Sequence, residues 1–445
     1  MRPKFLVMTS AGLCLTVLLA WTLGHHITYE GFYLFHPKEK EKPNLEPMIM
    51  LTRTPTTQHL ATASLVQPRG PVPLDTIRQQ RRDNLLKACK DDSVRYHGTY
   101  QVPYTVLERM QVSPKHRLIY CGLEKAASSF MKRIFMILNG AEKKSPYELP
   151  LAKSGLGVPI LSEYPQAEVP DMLLNSTMVI ITRDPYTRLL SAYTDKLYSP
   201  NAIYADKIGK YAVKLSRENA TEQSLRCGFD LTFKEFVKYF IQSEKDGLHR
   251  DNHFAPANQM CLPCTYNYNF IARTETLLND TVYLLNHLGE QQLAESIQVN
   301  FTSKNRRDKI KDQPNLLFMF RDKYKGCLSF FDAQRKIWKK MQTSGVIDKK
   351  SKYPISRDES ENITRTSFEK LLLAAVGNVV DATYARKQRE EAAIEAYSSL
   401  DGEDLEELSK IFAPDCKIFK FRCRPQRFFE TDPNIKPWYF ELATA

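Results

Sequence analysis

The run Met178-Val179-Ile180-Ile181-Thr182-Arg183-Asp184-Pro185-Tyr186-Thr187-Arg188-Leu189-Leu190-Ser191-Ala192-Tyr193 decides the fold. Its first four residues are apolar, as in a strand buried on both faces. The period then changes to that of a helix, with Tyr186, Leu189, Leu190, Tyr193 and Leu197 on one face. Asp184 is suited to cap the free amides of that helix, and Pro185 is tolerated in its first turn. A strand running straight into a helix is the signature of parallel strand-helix units.

A second such unit lies upstream. Leu118-Ile119-Tyr120-Cys121 reads as a strand and Gly122 to Ser129 as a turn. Phe130 to Leu138 reads as a helix, apolar at 130, 131, 134, 135, 137 and 138. Phe233 to Gln242, Val282 to Leu288, Phe368 to Val380 and Ala393 to Phe412 also read as helices. The expected fold is therefore α/β, a central parallel sheet flanked by helices and richer in helix than strand. No internal repeat is present.

Both turns carry anion-binding chemistry. The first, Gly122-Leu123-Glu124-Lys125-Ala126-Ala127-Ser128-Ser129, places a lysine and two hydroxyls at a helix N-terminus, where unpaired amides favour a phosphate or sulfate. A capping serine beside a solvated lysine would give the same pattern. The Walker A spacing is absent, which disfavours nucleotide triphosphate hydrolysis. In the second turn Arg183, Arg188 and Ser191 can converge on another anion, Arg188 and Ser191 sharing a face. A lone arginine is more often a surface ion pair; two anion sites at strand ends of one sheet are less readily read that way.

The rest of the 445-residue chain sets the context. At 42% hydrophobic and 26% charged residues it is neither a disordered tail nor a multi-pass membrane protein. Lys and Arg total 63 against 51 acidic residues, a formal charge of +12 that favours anionic partners. Residues 1–4 form a basic tail. Residues 5–23 are uncharged and mostly apolar, roughly 28 Å of helix, enough to span a bilayer. With no small-x-small cleavage site following, this is expected to be an uncleaved signal anchor, with the remainder lumenal. Residues 24–74 form a Pro-, Lys-, Glu- and Thr-rich stem, and 75–445 a globular domain opened by a polar helix from Asp75 to Lys90. Sequons at Asn175, Asn219, Asn279, Asn300 and Asn362 are candidate glycosylation sites. Eight of the nine cysteines follow the anchor, an even number suited to disulfides in an oxidising compartment, with on the order of a hundred pairings open. Cys261 and Cys264 alone would suggest zinc, but no second pair has comparable spacing, so no metal is expected.

Three segments together carry a family resemblance: Lys125-Ala126-Ala127-Ser128-Ser129; Arg183 to Tyr193; and Cys261-Leu262-Pro263-Cys264 through Phe270 with Glu275-Thr276-Leu277. From Leu74 to Phe421 the chain resembles the Golgi carbohydrate sulfotransferases of the chondroitin 4-O-sulfotransferase and HNK-1 sulfotransferase type. The resemblance implies a single-pass type II Golgi membrane protein with a P-loop-like sulfotransferase fold. It also implies transfer of a sulfuryl group from 3′-phosphoadenosine-5′-phosphosulfate to a glycan hydroxyl, N-acetylgalactosamine O-4 of chondroitin or dermatan being the favoured acceptor. Carried onto this chain, Lys125, Ala126, Ala127, Ser128, Ser129, Phe130 and Met131 would hold the 5′-phosphosulfate. Arg183, Asp184, Pro185, Tyr186, Thr187, Arg188, Leu189, Leu190 and Ser191 would hold the 3′-phosphate. Lys125 would stabilise the leaving phosphate, and His253, in a segment similar to a family His-Trp-x-Pro, would be the base, with Glu124 a weaker alternative. The implied partners are an acidic glycan and the Golgi membrane, with no nucleic acid.

The sequence departs from the family at Ser128-Ser129-Phe130-Met131, where Cys-Thr-Asn-Trp is usual, at Glu124 beside the lysine, where proline is usual, and at Phe254, where tryptophan is common. Glu124 would repel a phosphosulfate unless ion-paired or turned outward. Two other readings therefore stand beside the enzyme: a catalytically silent lumenal glycan-binding protein on the same fold, and a metal-dependent phosphotransferase using ATP.

Overall fold

The computed structural model describes residues 75–96, 106–149, 157–376, 381–430, 432 and 435–442. The expected tail, anchor and stem, residues 1–74, lie outside these. Among the described residues no helix is long and apolar enough to cross a membrane.

Four short strands form one sheet in the order β1 (Met110–Ser113), β2 (Leu118–Cys121), β3 (Thr177–Thr182) and β4 (Phe270–Arg273). β2, β3 and β4 are parallel, with Tyr120 opposite Val179 and Ile180 opposite Ile271. β1 is antiparallel to β2, pairing Met110 with Cys121. The expected parallel sheet is thus corrected to a mixed one. Only the single turn Pro114–His116, closed by Arg117 in the left-handed region at φ 46°, separates β1 from β2, far too little chain for a parallel crossover. The strands of both expected units are buried throughout, as their unbroken apolar character requires.

Helix Ser128–Leu138 follows β2 and helix Pro185–Tyr193 follows β3; in the latter the Asp184 carboxylate accepts from the Thr187 amide. Helix Phe233–Asp246 carries a capping box between Thr232 and Glu235 and buries Phe233, Phe236, Val237, Phe240 and Ile241, each contributing about 1.5–3 kcal/mol. The helix expected from Val282 begins earlier, at Leu277, and runs to His287. The one expected over 368–380 spans Arg365–Val376, and 377–380 lie outside the described residues. The single helix expected over 393–412 is two, Ala382–Ser398 and Gly402–Phe419. Asp401 turns its side chain to the Asp404 amide and starts a new helix there. In the opening helix, Thr76–Ala88, Leu85 and Ala88 are buried, but Ile77 and Leu86 are exposed and Arg78 is inside. Arg78 pairs with Asp280 at 3.0 Å and lies 3.9 Å from the centre of the Tyr283 ring.

All eight cysteines after the expected anchor are paired: Cys89–Cys264, Cys121–Cys261, Cys227–Cys327 and Cys416–Cys423. Two of these bridges fasten the segment before β4 to the opening helix and to the end of β2.

Candidate functional site

The loop after β2 is shaped by two non-glycine residues in the left-handed region, Lys125 at φ 64° and Ala127 at φ 62°. Such strain persists only where the surroundings hold it. Ala127 begins helix Ser128–Leu138 without a side-chain cap. Among the described residues the amides of Lys125, Ala127, Ser128, Ser129 and Phe130 donate to no acceptor, while Met131 N already donates to Ala127 O. Five unused donors at a helix N-terminus make a concave anion cradle. Ser128 is half-buried and Ser129 exposed at its mouth. Ala126, Phe130 and Met131 are buried, Phe130 packing on Tyr147 and Phe301, so these three form the wall behind the cradle. Glu124 does not face the cradle as a bare charge: Arg109 Nη1 donates to both its oxygens at 2.9 and 3.0 Å. Cys121, the last residue of β2, is fixed to Cys261.

At the end of β3, Arg183 Nη1 donates to the Lys125 carbonyl at 3.1 Å and Nε to Thr187 Oγ1 at 3.3 Å, joining the two expected anion sites. Burial, only partly offset by Glu275 and Asp184, pushes the Arg183 guanidinium down to about 10. Ser191 and Thr187 are half-buried. Pro185, Tyr186, Leu189 and Leu190 pack into the core, and the Tyr186 hydroxyl donates to the Cys423 carbonyl. Arg188 is 2% exposed and is used inside the protein: it donates to the carbonyls of Glu124 (3.2 Å), His253 (3.4 Å), Phe254 (3.3 Å) and Ala255. It therefore ties the His253 segment to the β2 loop.

His253 Nδ1 donates to Asp251 Oδ1 at 2.7 Å, with the Tyr204 hydroxyl 2.9 Å from the same nitrogen. That places the acceptor lone pair on Nε2, for which no partner occurs among the described residues. Against the cost of its burial, the hydrogen bond from His253 and the ammonium of Lys207 hold the Asp251 carboxyl well below the usual range. Phe254 fills the core against Phe236, and Asp415 accepts from the amides of Ala257 and Asn258, both at 2.7 Å, fixing the far end of the segment.

Several charged residues around the site were not singled out by sequence. Lys125 Nζ donates to Asp195 Oδ2 at 2.8 Å and Lys340 Nζ to Asp195 Oδ1 at 2.7 Å. Burial lowers the Lys125 ammonium to about 8 even though Asp195 opposes the shift. Lys309 is exposed; partial desolvation by the surrounding protein, with repulsion from Arg389, Arg183, Arg306 and Lys125, lowers its ammonium. Arg306 Nη2 donates to Val346 O at 2.6 Å, and Arg389 Nη1 stands 3.2 Å from where a side chain on the neighbouring Gly345 would begin. The two guanidinia thus converge on one turn. Asp195 was legible in principle, four residues beyond Ser191 on the same helical path. Lys340, Lys309 and Arg389 are brought in by tertiary folding alone.

Asn175, Asn219, Asn279, Asn300 and Asn362 are all exposed. Cys261 and Cys264 are each bonded to a different cysteine, and among the described residues no group of three or more metal-ligating side chains occurs.

Comparison with known proteins matches residues 108–316, which contain both cradles and His253, to the Sulfotransferase family. Carbohydrate sulfotransferase 9 of Homo sapiens is 32% identical over 237 residues, 53% of each chain. Carbohydrate sulfotransferase 11 of Rattus norvegicus is 30% identical over 218 residues, 48% of this chain and 62% of that one. Carbohydrate sulfotransferase 10 of Homo sapiens is 28% identical over 254 residues, 54% and 67% respectively. The chain thus spans between about half and two thirds of the length of these relatives. No solved structure gives a significant match.

Proposed function

We propose that this chain, which belongs to the sulfotransferase family through residues 108–316, is a lumenal Golgi enzyme. It would move a sulfuryl group from 3′-phosphoadenosine-5′-phosphosulfate to a hydroxyl of an acidic glycan, with N-acetylgalactosamine O-4 of a chondroitin- or dermatan-like chain the favoured acceptor. The observation that carries the reading is the pairing of two anion sites at the carboxyl ends of adjacent parallel strands, joined by Arg183 Nη1 and the Lys125 carbonyl at 3.1 Å. A ligand with two separated anionic ends fits that arrangement. The unused amides from Lys125 to Phe130 suit a phosphosulfate, and Arg183 with Ser191 a 3′-phosphate.

When bound, the donor supplies an activated sulfuryl group displaced in line from a phosphate. The cradle amides and the Ser128 hydroxyl orient that phosphate, and Lys125 Nζ, protonated below about 8, offsets the charge that grows on it. His253, kept by Asp251 in the tautomer with a free Nε2, takes the proton of the acceptor hydroxyl. Lys309, Arg306 and Arg389 beside Arg183 favour an acceptor that carries carboxylates or sulfates. The silent glycan-binding alternative drew support from Glu124, and the Arg109 pair weakens that objection to donor binding.

The test is titration of the purified full chain in detergent with 3′-phosphoadenosine 5′-phosphate and, separately, with ATP and magnesium, followed by sulfate transfer to a panel of glycans. Micromolar bisphosphate binding with transfer to acidic chains is expected. A folded chain that ignores the bisphosphate sinks the reading in favour of the silent alternative.

A further inference from the structure

Helix Pro185–Tyr193 does not simply end; it runs on into one π-helical turn, Thr194–Tyr198, a feature often found at functional sites. The turn brings Asp195 to the cradle lysine. Asp195 Oδ2 accepts from Lys125 Nζ at 2.8 Å and Oδ1 from Lys340 Nζ at 2.7 Å, while Lys340 Nζ also donates to Gln313 Oε1 at 2.9 Å. Lys196 Nζ stands 3.5 Å from Oδ2. Three segments remote in sequence therefore meet at one carboxylate, with both oxygens occupied. Its side chain is 27% exposed and those of Lys125 and Lys340 are 19% and 9%, so this is not a solvated surface pair of negligible value.

We propose that Asp195 is the positioning residue for Lys125, its other carboxylate oxygen being bound by Lys340. The inference rests on the sulfotransferase reading, in which Lys125 acts on the leaving phosphate. A lysine head on four rotatable bonds has no preferred direction of its own. Around Lys125 stand Lys196 on the same turn, Lys340 on helix Phe330–Thr343 and the charge of Lys309, all cations; Arg183 meets it only through the backbone carbonyl. Asp195 is thus the group that both aims the ammonium and opposes loss of its proton.

The test compares full-length wild type, Asp195→Asn, Asp195→Glu and Lys340→Met by calorimetric binding of 3′-phosphoadenosine 5′-phosphate and by the pH dependence of sulfate transfer. Asp195→Asn is expected to lower kcat about 10- to 100-fold, with the donor KM within about threefold, the pattern of a lost transition-state interaction. Its alkaline limb moves to lower pH, because a carboxylate that raises the Lys125 pKa is gone. Lys340→Met is expected to lower kcat less and to move the limb the opposite way, since a repelling cation is removed. Merely structural damage would not produce shifts of opposite sign. Asp195→Glu restores part of kcat. An Asp195→Asn chain with wild-type kcat and alkaline limb overturns the proposal, as do limbs that move together in both variants. If Asp195→Asn does not fold, Lys340→Met decides by the direction of its shift. A wild-type chain that neither binds the bisphosphate nor transfers sulfate sinks the parent reading instead, so the two failures are distinguishable.

Discussion

Arg188 Nη1 lies 3.2 Å from the carbonyl oxygen of Glu124, and the same guanidinium reaches the carbonyls of His253, Phe254 and Ala255. One buried cation therefore holds the loop that carries Lys125 against the segment that carries His253. Side chains expected to supply cofactor contacts thus divide by use. Some face the cradles, whereas Arg188 sets the spacing between them.

Arg188→Met is accordingly expected to cost about 3 kcal/mol or more of stability, because several buried carbonyls lose a charge-assisted donor that water cannot replace. Chemical denaturation measures it. A midpoint equal to wild type would show that the carbonyls find other partners and that Arg188 does not set the spacing.

Lys125→Ala is expected to lower kcat on the order of 100- to 1,000-fold, as for loss of a preorganised group at developing charge, while the denaturation midpoint stays near wild type. The same residue sets a pH dependence. In the proposed role the protonated ammonium is the active form, and burial brings it to about 8, so kcat is expected to fall as pH rises through about 8 rather than near the 10.5 of a free lysine. A wild-type profile flat to pH 9.5 would remove Lys125 from the rate-determining chemistry.

Arg109 and Glu124 give a test by double substitution. Removing Arg109 leaves the Glu124 carboxylate unpaired beside the cradle of the β2 loop, so Arg109→Ala is expected to weaken binding of the bisphosphate about tenfold. Glu124→Gln should cost little alone and should restore most of the loss in the Arg109→Ala background. Calorimetry on the four chains supplies the cycle. Additive effects would mean that Arg109 acts on the ligand directly.

Two of the four strands were legible because β2 and β3 are apolar runs buried on both faces. β1 was hidden by its own composition: Gln111 and Ser113 look like surface residues, yet are 3% and 0% exposed. β4 falls within the motif from Cys261 to Leu277 but, at four residues before a helix, carries too short a pattern to be read as a strand. The break at Asp401 could have been found as a cap followed by acidic first-turn residues, Glu403 and Asp404. The cradle lysine and Arg183 are legible in local patterns, and His253 through the family resemblance of its segment. The charges around them come from 70 residues away for Asp195 and Lys125, and 145 for Lys340 and Asp195, a closeness that local spacing does not encode.

The cations beyond the cradles carry the last prediction, that the acceptor is anionic. Lys309 and Arg389 have no acidic partner among the described residues, are open to water and repel one another. Clustered cations of this kind cost stability unless a ligand neutralises them, and in the proposed function the donor's two ends are met by Lys125 and Arg183. Lys309→Ala and Arg389→Ala are therefore each expected to raise the KM for a sulfated or carboxylated acceptor about 5- to 30-fold, on the scale of one charge-assisted contact, with the donor KM unchanged. The loss should shrink as salt rises, because the contact is partly exposed and screened. Against a neutral N-acetylgalactosamine acceptor the variants should match wild type. A rise in donor KM with unchanged acceptor KM would instead assign these cations to the cofactor and leave acceptor charge without a reader on this face.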